Sequence, residues 1–344
     1  MTRRRRPLAA ATMTILALAL ASLVGCGHAY NEGSAEWRPP RYWDQERYVE
    51  LAGVRTCYLE RGPLEASAAS SGQPPTIVFV HGWSGNLQNW WDQYEYFKRR
   101  YRVVVFDLPG HGKSERGPHM KYTMRLFVRV LLELLDALEI ERAIVAGNSA
   151  GGWIATRFAL EHPDRVERLV LADPTGTRYR GTIGVVLPIL SARRLHMVGM
   201  TSGVHYPATD AKSVARREFV ESFNGTRELE PYLEALAEVL PQTYERLDER
   251  FADIEAPTLV LWGDNDRVIP MPARRLYARI PDVERYDVHL GGHAPMMGSP
   301  AETTCAIDAY LSGRALEPCE RYAITRATAR AYWSGKPVAL PRYP

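Results

Sequence analysis

The sequence predicts an α/β fold, a mostly parallel, doubly wound sheet interrupted by a helical cap insertion. Three observations predict it. Short apolar, β-branched runs recur along the chain, as strands buried on both faces require. Amphipathic patterns with apolar spacings of three and four lie between them, and this alternation places helices on both faces of a parallel sheet. One stretch, about residues 175–250, holds helical patterns and no buried strand. With 344 residues, 46% hydrophobic and 24% charged, the chain has an ordinary globular composition and the length for one large domain or a domain with an insertion.

The amino terminus stands apart from that domain. Arg3 to Arg6 form a basic cluster, followed by an uncharged apolar stretch that ends at Leu23-Val24-Gly25-Cys26. This is the layout of a secretory signal peptide. Its last four residues resemble the lipobox of bacterial lipoproteins, which implies cleavage after residue 25 and a lipid on Cys26. The chain is then expected to be exported and anchored to the cell envelope. Gly27 stands where an aspartate would favour retention in the inner membrane, so the outer membrane is the expected site. Removing the four leader arginines takes the net charge from +3 to −1. A near-neutral chain gives no electrostatic reason to expect nucleic acid as partner. Residues 26–44 are polar and read as a tether.

The core is expected over 45–174 and 251–313. "RYVELAGVRTCYLERG" alternates like a hairpin with its turn near Gly53. "TIVFV" at 76–80 is a buried strand. Similar runs end at Asp107, Asn148, Asp173, Asp264 and Leu290. In "TMRLFVRVLLELLDALE", Phe127, Val130, Leu131, Leu134, Leu135 and Leu138 share one face, behind Thr123 as cap. "GWIATRFALEHP" stops at Pro163. "SPAETTCAIDAYLSG" places Ser299 and Glu302 at capping-box spacing, Pro300 at the first helical position and Gly313 at the end. Within the insertion, "GVVLPIL" and "HMVGM" are apolar enough to face a pocket. The tail, 314–344, is expected to run over the surface. Export would place the cysteines in an oxidising compartment. Cys305 and Cys319 lie close enough in sequence for a bridge worth about 3 kcal/mol in the chain-entropy model, and Cys57 reads as a buried small hydrophobe.

The chemistry gathers at predicted strand ends. Gly147-Asn148-Ser149-Ala150-Gly151 fits G-x-S-x-G, directly after a strand and before a helix. That context exposes a serine hydroxyl on a sharp turn. A serine needs a base. Of nine histidines, His293 in "HLGGHAPMM" is preferred, because Gly-Gly lets its loop reach over the sheet edge. His81 and His111 read as shaping glycine-containing turns. The base needs an acid. "WGDNDRVIP" offers Asp264, at the strand end and placed to bond the turn, and Asp266, further into the loop and preferred; Asp173 is the third candidate. The cysteines and histidines lack zinc-site spacing, and no metal or organic cofactor is implied.

The order Ser149, Asp266, His293 resembles that of the α/β-hydrolases. "VFVHGWSGN", "FDLPGHGKS", "GNSAGG", "WGDNDRVIP" and "GGHAP" are similar to that family's oxyanion loop, following strand and turn, nucleophile elbow, acid loop and histidine loop. The resemblance covers roughly residues 47 to 313. It implies an oxyanion hole from the N–H groups of Trp83 and Ala150, and a helical cap over the insertion. It also implies a serine hydrolase acting on a carboxylic ester through an acyl-enzyme; the Leu, Val and Met content of the insertion points to a small substrate with an apolar acyl or alkyl group. Relatives with the same triad that cleave carbon–carbon bonds or carry out perhydrolysis remain alternatives, as does a non-catalytic anchored binding module. Serine at 149 argues against the carboxylate nucleophile of haloalkane dehalogenases and epoxide hydrolases.

Overall fold

The computed structural model describes residues 44–64, 75–83, 85–116, 120–178, 238–239, 242, 245–266, 268–269, 271–325, 327–328, 341 and 343. The signal peptide, the lipobox with Cys26, and the tether up to residue 43 lie outside the described residues. So does most of the helical insertion, residues 179–237, with its two apolar runs.

Eight strands among the described residues form one sheet: β1 (Arg47–Leu51), β2 (Val54–Arg61), β3 (Thr76–Val80), β4 (Arg102–Phe106), β5 (Ala143–Asn148), β6 (Val166–Ala172), β7 (Thr258–Gly263) and β8 (Val283–Val288). Their spatial order is β1-β2-β4-β3-β5-β6-β7-β8. β1 and β2 form the expected hairpin, antiparallel to each other, and β2 is antiparallel to β4. Its two-residue turn has positive φ at both Ala52 and Gly53, the geometry whose twist suits a tight hairpin. All later pairings are parallel. The central strands β3, β5 and β7 are buried at every position, as helices on both faces demand. The outermost strands differ. Arg47 and Glu50 of β1, and Glu284 and Arg285 of β8, are exposed.

Successive side chains of a strand point to opposite faces, so each strand feeds two cores. Val78 and Val80 join the core under α2 (Met124–Ala137) and α3 (Ala150–Glu161), while Ile77 and Phe79 join the other. Thr123 caps α2 as expected, its hydroxyl accepting from Leu126 N at 3.0 Å. Phe127, Val130, Leu131, Leu134 and Leu135 are buried together. Leu138 falls just past the helix end, half-buried, because Glu139 turns to a positive φ of 52°. α3 ends two residues before Pro163.

The opposite face carries a segment to which the sequence pattern assigns no element. A 3₁₀ turn, Leu87–Trp90, leads into α1 (Trp91–Phe97). Seven residues give a helical period too little length to register, and aromatic anchors do the burying: Trp90, Tyr94 and Phe97 are fully enclosed. α4 (Pro300–Leu311) packs beside α1, with Pro300 in its first turn and Gly313 at φ 62° behind it. The expected capping box is absent. Ser299 Oγ donates to His289 O at 2.6 Å instead. Glu302 accepts from Tyr286 Oη at 2.9 Å, His289 N at 3.1 Å and His289 Nδ1 at 2.8 Å. Both side chains turn away from their own helix end because Tyr286 of β8 and His289 just after it offer them partners.

Cys305 of α4 is bridged to Cys319, with Cα atoms 5.6 Å apart. Cys57 is free and buried, and burial pushes its thiol pKa up. The tail does more than cross the surface. Tyr343 packs against Tyr96 and Tyr322, ring centroids 5.0 Å apart in each case, and its hydroxyl donates to Asp308 at 2.7 Å.

Candidate active site

Parallel strands align their carboxyl ends along one edge. Gly147 lies opposite Val80 of β3 and Leu171 of β6, and Leu261 of β7 lies opposite Ala172. The segments after β3, β5, β6, β7 and β8 therefore meet there. Ser149 sits between β5 and α3 with φ 54° and ψ −117°. An L-residue held so costs about 1–3 kcal/mol. Three bonds hold it: Ser149 N donates to Ala172 O at 3.0 Å, and Ser149 O accepts from Trp153 N and Thr175 N, each at 3.1 Å. The turn is tight enough that a Cβ on Gly147 would lie 2.2 Å from Gly151 O, which explains the glycine two positions before the serine. The hydroxyl does not cap α3.

It is engaged elsewhere. His293 Nε2 lies 2.8 Å from Ser149 Oγ, and His293 Nδ1 lies 2.9 Å from Asp266 Oδ2. Asp266 Oδ1 accepts from Val268 N at 2.7 Å and Ile269 N at 3.1 Å. With Asp266 ionised, Nδ1 must carry the ring hydrogen and donate it, which leaves Nε2 to accept from the serine hydroxyl. The Asp266 side chain is fully buried and that of His293 is 12% exposed, so the relay is enclosed at the acid end and open towards the serine.

The other two acids fall in different places. Asp264 is exposed and accepts from Leu290 N at 2.8 Å, so it braces the turn. Asp173 is fully buried at the end of β6, where Gly263 N donates to its two oxygens at 3.0 and 3.3 Å. Burial, and then the Asp266 charge beside it, push the Asp173 carboxyl well above the usual carboxylate range. Asn148 joins the site without any sequence signal beyond its place next to the serine. Its Nδ2 donates to Ala172 O at 2.9 Å and to His293 O at 3.0 Å, and so ties the histidine loop to the sheet edge.

Ala150 is the first residue of α3, where N–H groups have no partner within the helix and the dipole is positive. The 81–83 segment lies against it: a Cβ on Gly82 would be 3.1 Å from Ser149 Cβ. These positions suit two amides facing an oxyanion formed on a Ser149 adduct. His81 shapes that segment. Its Nε2 accepts from Leu108 N at 3.0 Å, so Nδ1 carries the hydrogen and donates to Gly82 O at 2.7 Å. Burial, then neighbouring His111, push its pKa well below the usual value. His111 donates from Nδ1 to Pro109 O at 3.0 Å, and burial lowers its pKa to about 4. Among the described residues no group of three or more His, Cys, Asp or Glu could hold a metal ion.

The buried neutral His111 has a consequence for acid stability. Unfolded, it would take up a proton near pH 6.5; folded, it resists until about 4. The unfolded state binds more protons in that window, so stability falls as pH drops through it, by about 2 kcal/mol at pH 5 from this residue. His81 acts in the same direction. Urea unfolding at pH 7.5 and 5.0 measures the loss, and His111→Gln, which does not titrate, removes about 2 kcal/mol of the difference.

The profile of the alpha/beta hydrolase family matches residues 77–306, a span that holds Ser149, Asp266 and His293. The chain belongs to the alpha/beta hydrolase family. This alpha/beta hydrolase is 32% identical over 236 residues to a 2-hydroxy-6-oxononadienedioate/2-hydroxy-6-oxononatrienedioate hydrolase of Cupriavidus pinatubonensis, covering 63% of this chain and 80% of that protein. It is 30% identical over 220 residues to a 2-hydroxy-6-oxo-2,4-heptadienoate hydrolase of Pseudomonas putida, covering 61% and 79%. Among solved structures it is similar to a membrane phospholipase A described as a bacterial virulence factor. The TM-score is 0.64 and the identity 25%, covering 89% of this chain and 93% of that one.

Proposed function

We propose that this alpha/beta hydrolase is a serine hydrolase acting at a carbonyl carbon, with a small apolar carboxylic ester as its substrate. The observation that carries the reading is the unbroken chain of hydrogen bonds from Asp266 through His293 to Ser149. Ser149 Oγ attacks the carbonyl carbon while His293 Nε2 takes its proton. Asp266 keeps the imidazole in the required tautomer and stabilises the imidazolium. The amides of Trp83 and Ala150 receive the negative charge of the tetrahedral adduct. As the adduct collapses, His293 passes the proton to the departing alkoxide and leaves an acyl-enzyme. Water, activated by the same imidazole, then releases the acid and restores Ser149.

Cleavage of a carbon–carbon bond beside a ketone is the second reading. The two relatives named for 2-hydroxy-6-oxo acids favour it. The relay would serve equally, with His293 delivering its proton to carbon rather than oxygen. The ester reading draws support from the membrane phospholipase A neighbour and from a lipobox ending at Cys26. A lipid on Cys26 would hold the enzyme at an envelope membrane, the outer one in a cell that has two, within reach of apolar esters. One acyl chain binds a membrane only weakly, so this anchoring needs the several chains of a lipoprotein.

The test is a panel of p-nitrophenyl esters of graded chain length, run beside a 2-hydroxy-6-oxo-dienoate. Turnover of esters with a clear chain-length optimum supports the first reading; turnover of the dienoate with idle esters replaces it by the second. The mass of the mature amino terminus tests the anchor, and an unmodified Cys26 removes it.

A further inference from the structure

We propose that Asp173 is a positioning residue for the Asp266–His293 pair: its un-ionised carboxyl donates a hydrogen bond to Asp266 and fixes that carboxylate against the imidazole. The inference rests on the triad reading above. Asp173 follows β6 with a left-handed backbone, φ 43°, and its N–H donates to Leu261 O on β7 at 3.0 Å. The side chain is fully buried and receives Gly263 N. Gly263 O in turn accepts from Asp266 N at 3.0 Å, so Asp173 grips the residue from which the acid loop starts. Its carboxyl also lies beside that of Asp266, whose charge it feels.

Two ionised carboxylates cannot keep such a contact away from water; one must retain its hydrogen. The partners decide which. Asp266 already accepts from three donors, Val268 N, Ile269 N and His293 Nδ1. Asp173 has one backbone donor and no cation among its bonded partners. The hydrogen therefore resides on Asp173, in line with the raised affinity for protons that burial and the Asp266 charge impose on it. The Asp173–Asp266 pair then carries a single negative charge, and Asp266 spends none of its charge on an opposing anion. Of the titratable groups around the pair, His293 faces Asp266. Tyr277 directs its hydroxyl to Pro174 O and Thr175 O, and Asp264 turns outward to Leu290 N.

Two substitutions in the full chain test this. Asp173→Leu removes the donor at similar size; kcat is expected to fall about 10- to 100-fold with KM little changed, the worth of one buried hydrogen bond to a charged group. Asp173→Asn keeps a donor for Asp266, a carbonyl for Gly263 N and the neutral state. It is expected to restore most of the lost kcat and to leave the acid limb of the pH profile of kcat/KM in place. Wild-type kcat in a folded Leu variant overturns the proposal. So does an acid limb moved down by about one pH unit in the Asn variant, since that means Asp173 carried a charge. If the Leu variant does not fold, as judged by circular dichroism, the pH profile of the Asn variant decides alone. A Ser149→Ala control separates this from the triad reading: retained turnover there sinks the triad itself, whatever the Asp173 variants do.

Discussion

Ser149→Ala is expected to lower kcat by about 10⁶-fold, the scale of removing the nucleophile in a serine protease, and to abolish labelling by a fluorophosphonate probe. Both follow from one atom. Ser149 Oγ is 2.8 Å from His293 Nε2, and among the described residues no other hydroxyl is bonded to that nitrogen. A phosphonylating probe needs an oxygen nucleophile with a base at hand and amides to receive the charge on phosphorus. Alanine leaves the base and the amides but nothing to attack. The fold should survive, because the bonds that hold the strained turn come from the backbone of residue 149, to Ala172, Trp153 and Thr175. Persistent labelling of Ser149→Ala would assign the nucleophile elsewhere. A well-folded wild-type protein that never labels would favour a binding module on this fold.

Asp266→Asn is expected to lower turnover by about 10⁴-fold, as the same change does in a serine protease. An amide can offer its carbonyl oxygen to Val268 N and Ile269 N and so keep the loop in place. Its nitrogen then faces His293 Nδ1 as a donor. The ring hydrogen must move to Nε2, where it blocks acceptance of the Ser149 proton, and the imidazolium loses its counter-charge. Circular dichroism and thermal unfolding near wild type, combined with the loss of turnover, complete the expected result. Turnover close to normal would hand the acid role to Asp173 or Asp264.

Much of the architecture was legible because strand burial and strand ends leave local marks. The runs ending at Asn148, Asp173 and Asp264 end within a residue of β5, β6 and β7, since a strand buried on both faces must be apolar throughout. Ser149 and Asp266 could be nominated because each lies in a loop just past such a strand, and His293 because its Gly-Gly loop follows the last strand; their meeting follows from parallel topology. The supporting partners were not legible. Asn148 looks like any residue before the serine, and its two acceptors come from β6 and the histidine loop, 24 and 145 residues away. Ser299 and Glu302 have the spacing of a local cap, yet His289 and Tyr286 outcompete the helix end for them. Local spacing carries no record of a distant partner that arrives only on folding. α1 leaves no sequence pattern for a related reason: its stability comes from aromatic rings set against the sheet, rather than from a repeat along the chain.

The exposed Arg47 and Glu50 on one outermost strand, and Glu284 and Arg285 on the other, govern how the molecule meets its own copies. An open sheet offers unpaired amides and carbonyls at both rims, where another chain could add a ninth strand. Here any newcomer would have to strip water from charged side chains at either rim. The same rims make strand-by-strand polymerisation a poor route.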